Sequence, residues 1–216
     1  IGRLGGLPAR RIEVVPDPGG RRVGSGGATL QALLAAARIT GPGNLETRFS
    51  GRRIAIIHSG GESRRLPAFA ALGKVRMPLP VSARRGGSRT MLEVVAADLA
   101  ALDGPATGQV LVATGDTIVN ASAGGATLDH AGACGVVEFA SVARGRRHGV
   151  YAADADGRVR DILQKPDEAE LDAASARLPG SRVLIDTGIV SLDPATAAAW
   201  MHGAGVVLRK IGRAQS

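Results

Sequence analysis

The chain has 216 residues, 44% hydrophobic and 21% charged, which suits one ordinary α/β domain and excludes a disordered tail. No uncharged stretch reaches the roughly 18 apolar residues of a membrane helix, and Pro194 to Leu208 is broken by His202, Gly203 and Gly205, while the single cysteine, Cys134, excludes an intrachain disulfide and a Cys-rich zinc site and points to a reducing, cytoplasmic compartment. Lys+Arg 27 against Asp+Glu 19 gives +8, yet Phe49, Phe69, Phe139, Tyr151 and Trp200 stand singly; without a stacking platform, a basic surface that favours anionic small molecules is a simpler reading than nucleic acid.

The chain opens on Ile1 rather than Met, with no signal peptide before the first glycines, and is expected to be an internal piece of a longer protein. Residues 1–27 are rich in Gly, Pro and Arg, with one expected strand, Ile12 to Val15, before a turn at Pro16 to Gly20. Leu30, Leu33, Leu34 and Ala37 predict a helix over Thr29 to Arg38, stopped by Gly41-Pro42-Gly43. Ile54 to Ile57 reads as a strand buried on both faces, and Val110 to Ala113 as another. Between them Thr90-Met91-Leu92-Glu93 is a capping box, with Leu92, Val95, Ala96, Leu99 and Leu102 as the buried stripe of its helix. Val136 to Phe139 is a further strand, and Tyr151 to Ala153 and Val159 to Ile162 flank Asp154-Ala155-Asp156-Gly157 as a hairpin. A short helix over Glu168 to Ala174, capped by Asp167, and a strand over Val183 to Val190 follow. The alternation predicts a layered α/β sheet in one domain over residues 1–210, with 211–216 a tail of no assigned role.

The chemistry concentrates where strands end. Ile57-His58-Ser59-Gly60-Gly61-Glu62-Ser63-Arg64-Arg65-Leu66-Pro67 runs from a strand into two glycines, a hydroxyl and two arginines, with Lys74 downstream. Glycines let backbone N–H groups approach phosphate oxygens, and Arg64, Arg65 and Lys74 can neutralise a triphosphate from the side. Gly60-Gly61 alone would be a tight turn. Only three of the basic residues are lysines, Lys74, Lys165 and Lys210, and a lysine kept in so arginine-rich a chain suggests a need for a compact ammonium. Gly24-Ser25-Gly26-Gly27-Ala28-Thr29 lacks the Gly-Lys-Ser/Thr ending of a P-loop and reads by itself as a flexible lead-in whose Ser25 or Thr29 caps the next helix. Asp116, after Thr114-Gly115, is either a turn aspartate or a carboxylate for Mg²⁺. His58, His130, His148 and His202 have no metal-ligand spacing, and Cys134 reads as a small core residue.

Gly-Gly-x-Ser-x-Arg-Leu-Pro with a downstream lysine resembles the signature loop of sugar-1-phosphate nucleotidyltransferases, and its departures (Ser63 for a third glycine, Pro67 one residue early, Gly73 before Lys74) are similar to the fucose-1-phosphate guanylyltransferase branch, which includes the N-terminal half of bifunctional fucokinases. The run Pro18 to Leu30 resembles the same branch. So does the ordered trio Gly149-Val150-Tyr151, Leu163-Gln164-Lys165-Pro166 and Asp186-Thr187-Gly188-Ile189, although Gln164 stands where the family has glutamate. The resemblance covers residues 12–195 and implies a Rossmann-like three-layer mixed sheet of the nucleotide-diphospho-sugar transferase (GT-A-like) type, here cut short at its C-terminus. It implies transfer of a nucleotidyl group from GTP to L-fucose 1-phosphate with release of pyrophosphate. Arg65 and Lys74 would be catalytic, Gly24, Ser25, Gly26, Gly27, Gly60, Gly61, Ser63 and Arg64 nucleotide-binding, Gly149, Lys165, Asp186 and Gly188 substrate-binding, and Asp116 the ligand of Mg²⁺. The second metal carboxylate would lie beyond the chain end, the fragment alone would be poorly active, and a sugar kinase domain could follow. Two other readings stay open at this point: a degenerate nucleotidyltransferase-like domain attached to a fucokinase-type kinase, and a basic nucleic-acid-binding module, which leaves the ordered motifs unexplained.

Overall fold

In a computed structural model of the chain, residues 9–59, 73–82, 88–119 and 128–205 are described. They combine helices with parallel and antiparallel strand pairs, a mixed α/β fold. The chain divides into two compact units, one of Ile1–Cys134 with Ser191–Ser216 and one of Gly135–Val190.

The first unit holds helices α1 (Gly24–Ile39) and α2 (Leu45–Phe49), strands β1 (Arg53–His58), β2 (Pro78–Ser82) and β3 (Ser88–Thr90), helix α3 (Met91–Ala101) and strand β4 (Gln109–Thr114). The expected capping box is formed: the Thr90 hydroxyl accepts from the Glu93 N–H while Glu93 accepts from the Thr90 N–H, so α3 starts where its sequence says. Its stripe buries Met91, Val95, Leu99 and the following Leu102, with Leu92 and Ala96 only partly covered.

The paired strands β1 and β4 run parallel from Arg53↔Gln109 to His58↔Thr114. β4 is buried at Gln109, Val110, Leu111 and Ala113, as its apolar run predicts. β1 departs from the expected burial on both faces: Ile56 is buried but Ala55 is exposed, in keeping with its place at the end of the strand order. Ile12 to Val15 forms no strand. Val14 is 82% exposed, and among the described residues the segment has no ladder partner, so apolar residue type alone does not make it a strand.

Helix α6 (Pro194–Gly203) closes this unit's sequence of elements and packs with α1 and α2. The core between them holds Leu33, Ala37, Leu45, Phe49, Ala197 and Met201. A buried polar relay ties β4 to the segment before α6: Gln109 Nε2 donates to Ser191 Oγ at 2.9 Å, and Ser191 Oγ lies 2.8 Å from His130 Nε2. Asp193 caps α6, accepting from Thr196 N–H, and its other oxygen accepts from Gly132 N–H.

The second unit holds strand β5 (Ala133–Ser141), helix α4 (Val142–Gly145), strands β6 (Gly149–Ala153) and β7 (Val159–Gln164), helix α5 (Glu168–Ala173) and strand β8 (Arg182–Leu192); the first two residues of β5 and the last two of β8 belong to the first unit. The expected hairpin is present, β6 antiparallel to β7, and its turn is held by Asp154, whose Oδ1 accepts from the N–H groups of Asp156 and Arg158. β6 also pairs antiparallel with β8, and β5 pairs with β8. Asp167 and Glu170 complete a second capping box at α5, seating Leu171 in a core with Val142, Val150, Ala152, Val183 and Ile185. Among the described residues no helix is long and apolar enough to cross a membrane.

Candidate functional site

The first group of candidate residues gathers beyond the C-terminal ends of β1 and β4, where an open α/β sheet receives ligands. Gly115 N–H donates to the His58 carbonyl at 2.9 Å. A Cβ at Gly115 would collide with that carbonyl oxygen and with Val75, so this turn requires glycine to bring the two strand ends together. Asp116 follows directly, and its Oδ2 accepts from Lys74 Nζ at 2.7 Å. The fold thus joins two residues singled out from sequence and 42 positions apart. Lys74 opens a 3₁₀ turn, Lys74–Arg76, after Gly73, whose Cβ would stand 3.7 Å from the Ser59 carbonyl. Gly60, Gly61, Ser63, Arg64 and Arg65 lie outside the described residues, but Ser59 and Gly73 on either side of them approach each other.

Helix α1 reaches the same place. The expected lead-in is instead helical: α1 begins at Gly24, so Gly24, Ser25, Gly26 and Gly27 form its first turn, and neither Ser25 nor Thr29 is its cap. The residue before the helix is Val23, which offers no side-chain acceptor, so the first-turn N–H groups keep the donors and positive dipole end that suit a phosphate. Thr29, deeper in the helix, donates its hydroxyl to Ser25 O at 2.9 Å and lies 2.9 Å from His58 Nε2. The hydroxyl has one hydrogen, so the His58 Nε2–H is the donor of the second bond. That bond tethers α1 to the end of β1.

Thr29 closes the glycine-rich run that the family resemblance places at the nucleotide, whereas neither His58 nor Asp98 carries an assignment from sequence. Asp98 accepts from Val119 N–H, so it anchors the segment just after Asp116, and burial pushes its carboxyl above the usual range. An aspartate inside an amphipathic helix gives no sign of this in sequence.

Burial lowers the His58 pKa from its ordinary 6.5. Between the lowered value and 6.5 the unfolded chain binds a proton that the folded chain does not, so stability from this group is complete above 6.5 and falls as pH drops below it. The carboxylates with lowered pKa values (Glu93, Asp154, Asp172, Asp193) lose stability below their ordinary 4.5 or 3.8. Asp98, whose pKa is raised, acts with the opposite sign and loses stability as pH rises above its ordinary 3.8, so comparison with a His58 variant isolates the imidazole's share. A thermal midpoint followed from about pH 7.5 to about pH 5.5 is expected to decline, and to decline less in His58→Gln. The slope stays below the one-proton limit because the ring is half-buried.

For a metal, the described residues offer no group of three His, Cys, Asp or Glu side chains, and so no all-protein cage. Asp116 is a strand-end carboxylate, 48% exposed. That matches Mg²⁺, which takes one or two carboxylates and completes its shell with phosphate oxygens and water.

The second group lies in the other unit and is organised by strand register. Gly149 pairs with Gln164 on β7. On its other side the β6–β8 register (Val150↔Ile185, Tyr151↔Leu184) brings it opposite Asp186. A Cβ at Gly149 would lie 3.3 Å from both Asp186 Cβ and Gln164 Nε2 and 3.5 Å from Asp186 Oδ2. The row therefore reads amide, gap, carboxylate across three strands, a slot one side chain wide. Asp186 Oδ1 accepts from Gly188 N–H at 2.8 Å, which Gly188 reaches at a φ of 73°. Lys165, next to Gln164, is exposed, and its N–H donates to His148 O at 2.9 Å. Its φ is 51°, although a residue before proline ordinarily stays extended. Such left-handed non-glycine backbone cluster at sites that contact ligands.

Residues 46–203 match the family model described as a fucose pyrophosphorylase domain. The chain is similar to a bifunctional fucokinase/GDP-fucose pyrophosphorylase of Arabidopsis thaliana, 32% identical over 92% of this chain and 21% of that protein. It is 31% identical to a fucose-1-phosphate guanylyltransferase of Mus musculus over 69% of this chain and 25% of that protein. It is also 29% identical to an L-fucokinase/L-fucose-1-P guanylyltransferase of Bacteroides fragilis over 74% of this chain and 18% of that protein. The chain spans a quarter or less of the length of these relatives.

Proposed function

The chain belongs to the fucose pyrophosphorylase family, and on that premise we propose that the protein is a nucleotidyltransferase that couples GTP to L-fucose 1-phosphate, releasing pyrophosphate and forming a nucleotide sugar. The observation that carries the reading is the 2.7 Å contact of Lys74 Nζ with Asp116 Oδ2 beyond the ends of two parallel strands: a movable cation and a carboxylate poised where a polyphosphate would sit. The mixed sheet is read as the Rossmann-like, GT-A-like type, the activity as cytoplasmic, and a sugar kinase in the same polypeptide as a partner, by analogy with the two bifunctional relatives.

The reaction is an in-line displacement. An oxygen of the sugar phosphate forms a bond to the α-phosphorus as the bond from that phosphorus to the bridging oxygen of the leaving pyrophosphate breaks. The protein's task is to hold two polyanions together and stabilise the leaving charge. Lys74 leaves Asp116 for the leaving phosphates, with Arg65 as the second cation. The first-turn N–H groups of α1 at Gly24, Ser25, Gly26 and Gly27, with Gly60, Gly61, Ser63 and Arg64, bind the nucleotide. Lys165 holds the attacking phosphate, and Gly149, Asp186 and Gly188 receive the sugar. Asp116 would hold Mg²⁺, which when bound neutralises phosphate charge.

The test is calorimetric titration with GTP, ATP and UTP in Mg²⁺, followed in the full-length protein by pyrophosphate release with L-fucose 1-phosphate. Preferred, saturable GTP binding with sugar-dependent pyrophosphate release is expected. Neither binding nor release would mean a degenerate domain.

A further inference from the structure

The geometry points to Tyr151 as a positioning residue that sets the Asp186 carboxylate for the sugar, with Gly135 as the space that lets it do so. This rests on the reading of Asp186 as a sugar-binding residue. Tyr151 is only 6% exposed. It lies two residues along β6 from Gly149 and therefore on the same face of the sheet. Its hydroxyl donates to Asp186 Oδ1 at 3.1 Å, the oxygen that also accepts from Gly188 N–H at 2.8 Å. Two donors on one oxygen fix the carboxylate's rotation, and the other oxygen, Oδ2, is the one 3.5 Å from the empty Cβ position of Gly149.

An acceptor held beside a gap, with the Gln164 amide across it, suits adjacent hydroxyls of a sugar. A carboxylate free to rotate would divide its time between the slot and the backbone, and the substrate would bear the cost of ordering it. Gly135 on β5 completes the arrangement. A Cβ there would stand 3.1 Å from both Cζ and Oη of Tyr151, so even alanine would force the ring that reaches Asp186 to shift. The backbone at Gly135 does not need glycine for its φ, and the ring packed over it gives the small residue a purpose.

The test is steady-state kinetics of full-length wild-type, Tyr151→Phe, Gly135→Ala and the double variant, with GTP and L-fucose 1-phosphate varied separately. Tyr151→Phe is expected to raise KM for the sugar phosphate by about tenfold, the order expected for a lost hydrogen bond to a charged group. KM for GTP and kcat stay within about twofold. Gly135→Ala moves the same constant in the same direction, and in the double variant the effects do not add, because both break one contact. An unchanged sugar-phosphate KM in both single variants overturns the inference while leaving the function intact. So does a fall in thermal midpoint with kcat and both KM values shifting together, the mark of a merely structural tyrosine. Absence of sugar-dependent pyrophosphate release in the wild type overturns the functional reading and this inference with it.

Discussion

Lys74→Ala is expected to lower kcat/KM with GTP by about 10²- to 10³-fold, the range seen when a preorganised charge stabiliser is removed from a reacting centre. Pyrophosphate release measured at limiting GTP reads the loss directly. The same variant is expected to stay within about 1 kcal/mol of wild-type stability, because the Lys74–Asp116 pair is partly open to water, its side chains 28% and 48% exposed, and solvent-screened pairs contribute little. The two measurements together separate a functional lysine from a structural one. Lys74→Arg keeps the charge but replaces a compact ammonium with a planar fork, and is expected to recover only part of the rate. Turnover near wild type in Lys74→Ala would rule out the role given to this residue.

The second large effect is expected at Gly149. Alanine there demands no change in backbone, since Gly149 is not in the left-handed region. It does place a methyl 3.3 Å from both Asp186 Cβ and Gln164 Nε2, in the middle of the proposed sugar slot. KM for L-fucose 1-phosphate is expected to rise by about 10- to 100-fold, as for a displaced substrate hydroxyl whose polar partners are left unmatched. GTP affinity, measured calorimetrically, is expected to be unchanged. The atoms in the way belong to side chains, so stability is expected to fall by no more than about 1 kcal/mol. Equal weakening of nucleotide and sugar phosphate would mean that Gly149 serves the sheet and not the substrate.

Where structure follows from short-range chemistry, the sequence by itself determined it. The start of α3 is legible because Thr90 and Glu93 satisfy each other's backbone three residues apart. The β6–β7 turn is legible because Asp154 bonds within its own turn, and β4 because its continuous apolar run is buried. The order of the motifs identified the candidate residues for the same reason: residue type and spacing along the chain are enough to compare with a family. Tertiary structure decided the rest. Glycines are poor helix formers, so nothing local says that Gly24–Gly27 begin α1, a helix tethered in its second turn by the bond of Thr29 to His58. Ile12 to Val15 has strand-forming residues but pairs with no strand among the described residues. The contact of Lys74 with Asp116 and the Gln164–Gly149–Asp186 row exist only once segments remote in sequence are set side by side. Tyr151 was visible as a letter in a motif, but its hold on Asp186 depends on the register of β6 against β8, and register is fixed by the pairing of strands, not by either strand alone.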